Sequence, residues 1–280
     1  FVSSDYGVKF TKTTSGKDDC KGNPRLSAIR NDRGNPPVFY TICSKYVYYT
    51  KNLGKNWMKL NESAFSQNVN NIRVTPHSAQ YPSVVYACFQ GRPKPDPVNK
   101  LKVYDKGEWY ERSSGLPASA DVRTVSLPYT GYNTAYALMD GLSSPGEKIF
   151  KTTNRGINWE NITGDLPEMI AVGDLFPNPA DPDKLFLGTA FGFFRSTNGG
   201  LNWERWNNGM PGSLIISELK YIDSTSHNGK FYIAAATYGR GIWIRNINDN
   251  DASDMKNPEQ ENTKIKNEKN NIENKGSKKK

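Results

Sequence analysis

The sequence predicts an all-β fold, a β-propeller of four-stranded antiparallel blades with about four complete blades and two partial ones. Three observations carry this. A short motif recurs along the chain. Its spacing matches one blade. The runs between copies read as strands, with no helical periodicity over a useful length. The 280 residues can bury a large core as one domain. Six Trp, fifteen Tyr and twelve Phe suit sheets that pack aromatic side chains against one another.

The motif is clearest in "STNGGLNW", which holds Ser196, Asn198, Gly200 and Trp203. "TTNRGINW" places Thr152, Asn154, Gly156 and Trp159 in the same pattern. "TKNLGKNW" gives Thr50, Asn52, Gly54 and Trp57, and "SSDYGVKF" gives Ser3, Asp5, Gly7 and Phe10. A worn copy, "YDKGEW", keeps Asp105, Gly107 and Trp109. The Asp/Asn positions 5, 52, 105, 154 and 198 set a period of roughly 44 to 53 residues. Each residue type has a folding task. The hydroxyl and the Asp/Asn side chain bond nearby backbone N–H groups, Gly takes a positive φ, and Trp is an apolar anchor beneath the turn.

Taken in order, each blade reads as strands A to D from the axis outward. The A strands are "LSAI", "VNNIRV", "VRTVSL", "VGDLF" and "ISELKYI". The B strands are "PVFYTIC", "SVVYACF", "TAYALM", "KLFLGTA" and "KFYIAAAT", rich in the apolar types a doubly covered sheet needs. C strands precede the motif copies, and D strands start at the motif Trp. The linkers "SSGLPAS", "GDLPEM" and "NGMPGS" turn each D strand into the next A strand. The chain opens inside a blade and closes on A, B and C strands, so upstream blades are expected. Residues 1–247 form the propeller. Residues 248–280 are polar, charged and nearly free of large apolar residues, and their composition predicts a disordered tail.

The repeat resembles the Asp-box (BNR) proteins, which include sialidases, xyloglucanases and sortilin-type Vps10 domains. The resemblance covers residues 1–247, and its closing "AATYGRGIWI" is similar to the last blade of large secreted bacterial Asp-box proteins. It implies that the motif turns join strands C and D, away from the usual binding face. It also implies a secreted, cell-surface or periplasmic location. Sialidase identity is disfavoured, since no Arg-Ile-Pro motif occurs.

Net charge is +9, of which about +8 belongs to residues 1–247, so an anionic ligand is favoured. No nucleic-acid motif accompanies that charge, and no apolar run is long enough to span a membrane. No cofactor or metal is expected. The chain has two His, and three of the five motif copies carry Asn in place of an acid. Cys20, Cys43 and Cys88 lack metal-ligand spacing. Cys43 and Cys88 read as small core residues, and the odd count leaves a free thiol.

Two readings of function remain. In the first, a non-catalytic module or scaffold binds a glycan or extracellular protein on the rim made by B–C and D–A connections. That rim carries Arg92, Lys94, Asp140, Arg123, Tyr238 and Arg240. In the second, the chain is part of a glycoside hydrolase. Aligning the A strands makes Ala28, Asn71, Thr124, Asp174 and Glu218 equivalent. Asp174 and Glu218 would then be neighbours at the central channel, a carboxylate pair suited to acid/base work on a glycosidic bond.

Overall fold

A computed structural model describes residues 8–9, 11, 29–32, 38–76, 83–89, 100–129, 131–141, 145–207, 209–211, 214–222 and 231–247. These residues form antiparallel sheets that follow one another along the chain. The first blade holds β1 (Ile29–Asn31), β2 (Phe39–Cys43), β3 (Tyr46–Thr50) and β4 (Met58–Lys59). The second holds β5 (Val69–Val74), β6 (Val85–Phe89), β7 (Leu101–Asp105) and β8 (Glu108–Glu111). The third holds β9 (Val122–Ser126), β10 (Ala135–Met139), β11 (Ile149–Thr152) and β12 (Glu160–Asn161). The fourth holds β13 (Val172–Pro177), β14 (Leu185–Thr189), β15 (Gly192–Ser196) and β16 (Glu204–Arg205). The fifth holds β17 (Ile216–Ile222), β18 (Tyr232–Thr237) and β19 (Ile242–Asn246). Each strand pairs with its neighbour in sequence, in the order A-B-C-D. The predicted N-terminal partial blade and the tail beyond 247 lie outside the described residues.

Every residue of β6, β10 and β14 is buried, as a central strand covered on both faces requires. The core lies between successive sheets. A front face of each B strand packs on the next blade. Tyr40 joins the cluster shared with β5 and β6, Tyr86 the cluster shared with β9, and Tyr136 the cluster shared with β13. Phe186 packs with Leu219, Ile233 and Ala235 of the fifth blade. Each buried ring contributes about 2–3 kcal/mol of transfer free energy.

The outer strands differ from expectation by a residue. β4, β12 and β16 begin after the Trp, not at it. The Trp backbone N–H groups are committed elsewhere, Trp159 to Ser114 O at 3.0 Å and Trp203 to Asp165 Oδ1 at 2.6 Å. They are therefore lost to the ladder, and each outer strand keeps a two-residue pairing.

Four A strands carry a β-bulge at one place, where Asn70, Arg123, Gly173 and Ser217 are extra residues against the B strand. The following residues, Asn71, Thr124, Asp174 and Glu218, pair with Cys88, Leu138, Gly188 and Ala236. They are thus register equivalents, as the sequence alignment expects. Ala28 lies outside the described residues.

Candidate functional site

The B–C turns and D–A linkers share one end of the sheets, and the C–D turns occupy the other. The C–D end is held by three turns with one bonding pattern. The hydroxyls of Thr50, Thr152 and Ser196 donate to the Oδ1 of Asn52, Asn154 and Asn198 at 2.8, 2.8 and 3.0 Å. The same hydroxyls accept the N–H of Gly54, Gly156 and Gly200 at 3.1, 2.9 and 2.9 Å. Each Asn Oδ1 also accepts a backbone N–H four residues on, from Asn56, Asn158 and Asn202. The glycines take φ of 82°, 85° and 99° and follow a residue that is also at positive φ. Trp57, Trp159 and Trp203 are buried beneath. These hydroxyl and amide oxygen atoms hold the turn closed from within. Asp5, Gly7 and Phe10 lie outside the described residues.

The copy at Asp105 has a different geometry. Asp105 and Glu108 close a two-residue hairpin, with Lys106 and Gly107 at φ of 54° and 91°. Asp105 is therefore not a turn cap here. Its buried carboxylate pairs with Arg112 at 3.0 Å and with Arg155, of the third blade, at 2.9 Å. Trp109 is half-buried and packs on Phe65 and Tyr104, with its indole N–H donating to Leu60 O.

Asp174, expected at the channel, is 6% exposed and turned between blades. Its Oδ1 accepts from Ser126 Oγ of the third blade at 2.7 Å and from Leu175 N at 3.0 Å. Its Oδ2 accepts from Leu219 N of the fifth blade at 3.1 Å. One carboxylate thus ties three consecutive blades. Glu218 is half-exposed and pairs with Lys220 at 2.7 Å. Burial raises its pKa, but the Lys220 hydrogen bond and charge, joined by Arg30 and Arg73, outweigh that and hold it below the usual carboxylate range. A glycosidase acid needs the opposite shift, so that it carries a proton to the leaving oxygen. The same layer is bonded between the second and third blades, with Asn71 Nδ2 donating to Thr124 Oγ1 at 3.1 Å and Arg73 donating to Asn71 Oδ1 within β5 at 3.0 Å.

The B–C end presents the expected rim in part. Arg123, the bulge residue of β9, reaches Asp140 just beyond β10 at 3.7 Å. Tyr238 and Arg240 lie in the β18–β19 turn. The Tyr238 backbone N–H donates to Ile215 O at 2.9 Å, while the side chain is 81% exposed. Arg92 and Lys94 lie outside the described residues. Three apolar rim residues went unnoticed in the sequence: Met169, Phe191 and Ile215 are exposed at this end. Phe191 had a signal, as the second residue of a two-residue turn where a side chain has no sheet to pack against. Among the described residues, no group of three His, Cys, Asp or Glu is placed to hold a metal ion.

Cys43 is buried, as its apolar strand suggested, and it is also disulfide-bonded. Cys88 is free, and burial pushes its thiol up to about 12. It is an inert core group, as its apolar strand suggested.

No protein-family model matches the chain, and no curated protein sequence matches it significantly. Solved structures do. A YCF48 bound to D1 peptide superposes with a TM-score of 0.51 at 20% identity, over 81% of this chain and 65% of that one. YCF48 from Cyanidioschyzon merolae gives 0.53 at 14% identity, over 77% of this chain and 68% of that one. An ancestral GH74 enzyme gives 0.60 at 16% identity, over 86% of this chain but 31% of its own. The fold is a β-propeller. The GH74 xyloglucanase from Xanthomonas campestris superposes similarly, with a TM-score of 0.55 at 16% identity over 82% of this chain and 37% of that one. The chain therefore spans about two thirds of the YCF48 propellers and about a third of the GH74 enzymes. Among the described residues, no helix is long and apolar enough to cross a membrane.

Proposed function

We propose that this chain is a non-catalytic binding module. In this reading it is an Asp-box propeller of the cell exterior that holds a glycan or an extracellular protein on the rim of Arg123, Asp140, Tyr238 and Arg240. The sequence adds Arg92 and Lys94 to this proposed rim, from the longest of the expected B–C connections. The observation that carries the reading is the commitment of Asp174 to Ser126 and Leu219, which takes the one buried acid of the predicted catalytic pair into the blade stack. The three like-bonded turns support the Asp-box assignment. The disulfide at Cys43 supports an oxidising compartment. The net charge of +9 supports an anionic ligand.

The alternative, part of a glycoside hydrolase using Asp174 and Glu218, draws on the likeness to GH74 enzymes. It asks Glu218 to hold a proton against three nearby cations and Asp174 to leave its bonded site. The test is binding to a panel of acidic and neutral polysaccharides and acidic peptides, by wild type and by Arg123→Ala, Tyr238→Ala and Arg240→Ala. Loss of affinity of about tenfold or more, with unchanged melting, is expected for rim variants. Turnover of an aryl glycoside or polysaccharide that disappears in Asp174→Asn would overturn the reading.

A further inference from the structure

We infer that the rim of the fourth and fifth blades is an interface for a protein partner, and that it takes a segment carrying an acidic residue beside apolar side chains. This rests on the rim reading above and narrows the ligand there to a protein. The deciding difference lies at one strand position. At the last residue of the B strand, the first three blades carry Cys43, Phe89 and Met139, and the last two carry Thr189 and Thr237. Each threonine hydroxyl closes its own B–C turn, donating to Gly192 O at 2.8 Å and to Gly241 O at 2.7 Å. Each turn lifts one aromatic side chain off the end of its sheet, Phe191 in the fourth blade and Tyr238 in the fifth, both exposed.

Both turns are braced further. Phe191 N–H donates to Thr189 Oγ1 at 3.0 Å, and Phe191 O accepts from Arg205 and from Asn207 Nδ2, each at 3.1 Å. Tyr238 N–H is held by Ile215 O, and the Trp243 indole donates to Arg240 O at 3.1 Å. An exposed ring on a backbone fixed in this way loses little freedom on binding, which is what an interface anchor needs. The two blades also approach closely here. A Cβ at Gly173 would meet Ile216 O at 2.1 Å, and one at Gly188 would meet the Ile216 side chain at 2.5 Å. The glycines thus seat the linker that carries exposed Ile215 against the fourth blade. Exposed Met169 enters from the preceding linker, whose Ala171 O accepts the N–H of Ala190, next to Phe191, at 2.9 Å.

Chemistry selects the partner. Thr189, Thr237 and Asn207 turn their polar atoms inward to the turns. The outward side chains are two rings and the aliphatic chains of Met169 and Ile215. A glycan needs outward donors and acceptors to meet its hydroxyls, whereas the apolar side chains of a peptide need none. Aromatic residues, Met and Arg together are the mixture that protein interfaces favour. Charge sets the polarity of the segment. Arg240 is exposed and makes no ion pair among the described residues, while Glu168 is exposed beside Met169. The acid of the partner therefore belongs at the Arg240 end, and the net charge of +9 draws it in.

The test selects random peptides displayed on phage against the whole chain, then measures one selected synthetic peptide by fluorescence anisotropy. Selected sequences are expected to carry Asp or Glu close to Leu, Ile, Phe or Trp. Affinity is expected to fall by about tenfold or more in Phe191→Ser and in Ile215→Ser, with melting unchanged. Arg240→Glu is expected to weaken the same peptide and to favour its version with Lys in place of the acid. Thr189→Val/Thr237→Val keeps both rings and frees their turns, so it is expected to weaken binding as well. Wild-type affinity in Phe191→Ser, or selected peptides without an acid, would overturn the inference. So would failure to enrich any peptide while an acidic polysaccharide binds and is lost in Arg123→Ala, a result that leaves the rim reading standing. Binding of neither peptide nor polysaccharide would remove both.

Discussion

A carboxylate taken out of water is tolerated only where donors answer its charge. Asp174 has three, and they come from three blades. Asp105 solves the same problem with two guanidinium groups from two blades. Both acids were visible in the sequence as acids, but their destinations were not. Their partners Ser126, Leu219 and Arg155 are distant in the chain and are brought near only by stacking. The buried phenols give a pH prediction. Burial pushes Tyr40 and Tyr136 up to about 12 and raises Tyr86 further. A folded-state pKa above the unfolded value of about 10 means that the native chain keeps protons the unfolded chain releases. This stabilisation is full below about pH 10 and is lost as pH rises through about 12. Phenolate absorbance should therefore show these phenols ionising together with unfolding. Independent titration near pH 10 in a chain that stays folded would contradict it.

The C–D turns were legible because every residue in them has a local task. Thr152, Asn154, Gly156 and Trp159 bond or pack within eight residues of sequence. The turn at Asp105 was misread for an equally local reason. Val103 stands where the motif needs a hydroxyl, and Trp109 arrives one residue early, so the chain closes a tight hairpin instead. Thr152→Val keeps the shape and removes the hydroxyl, leaving Asn154 and Gly156 N–H groups without their acceptor. A loss of about 1–3 kcal/mol in denaturant titration is expected, and a neutral result would refute the bonding scheme. Gly115 tests the contact between blades. A Cβ there would meet Trp159 O at 2.2 Å with φ at +89°. Gly115→Ala should cost about 2–4 kcal/mol through strain and displacement of the Trp159 turn. An unchanged melting temperature would show that the linker has slack.

At the scale of the molecule, the repeat period exposed the order and direction of the five described blades, because one amphipathic unit recurs and each copy needs its neighbour. The rim was legible only as loops at one end, since binding needs no periodic pattern. Exposed Met169 emerged only once the ends of the sheets were fixed in space. Removing residues 248–280 should leave melting in place, as their composition offers little apolar area to bury. The central claim is that the acids of the stack hold blades together and the rim binds. The most direct measurement is the unfolding free energy of Asp174→Asn beside its ligand affinity and glycoside turnover. The account predicts a loss of about 2–4 kcal/mol in stability, with affinity at the rim unchanged and no turnover lost. Wild-type stability in the variant, together with abolished turnover of a glycoside, would contradict it.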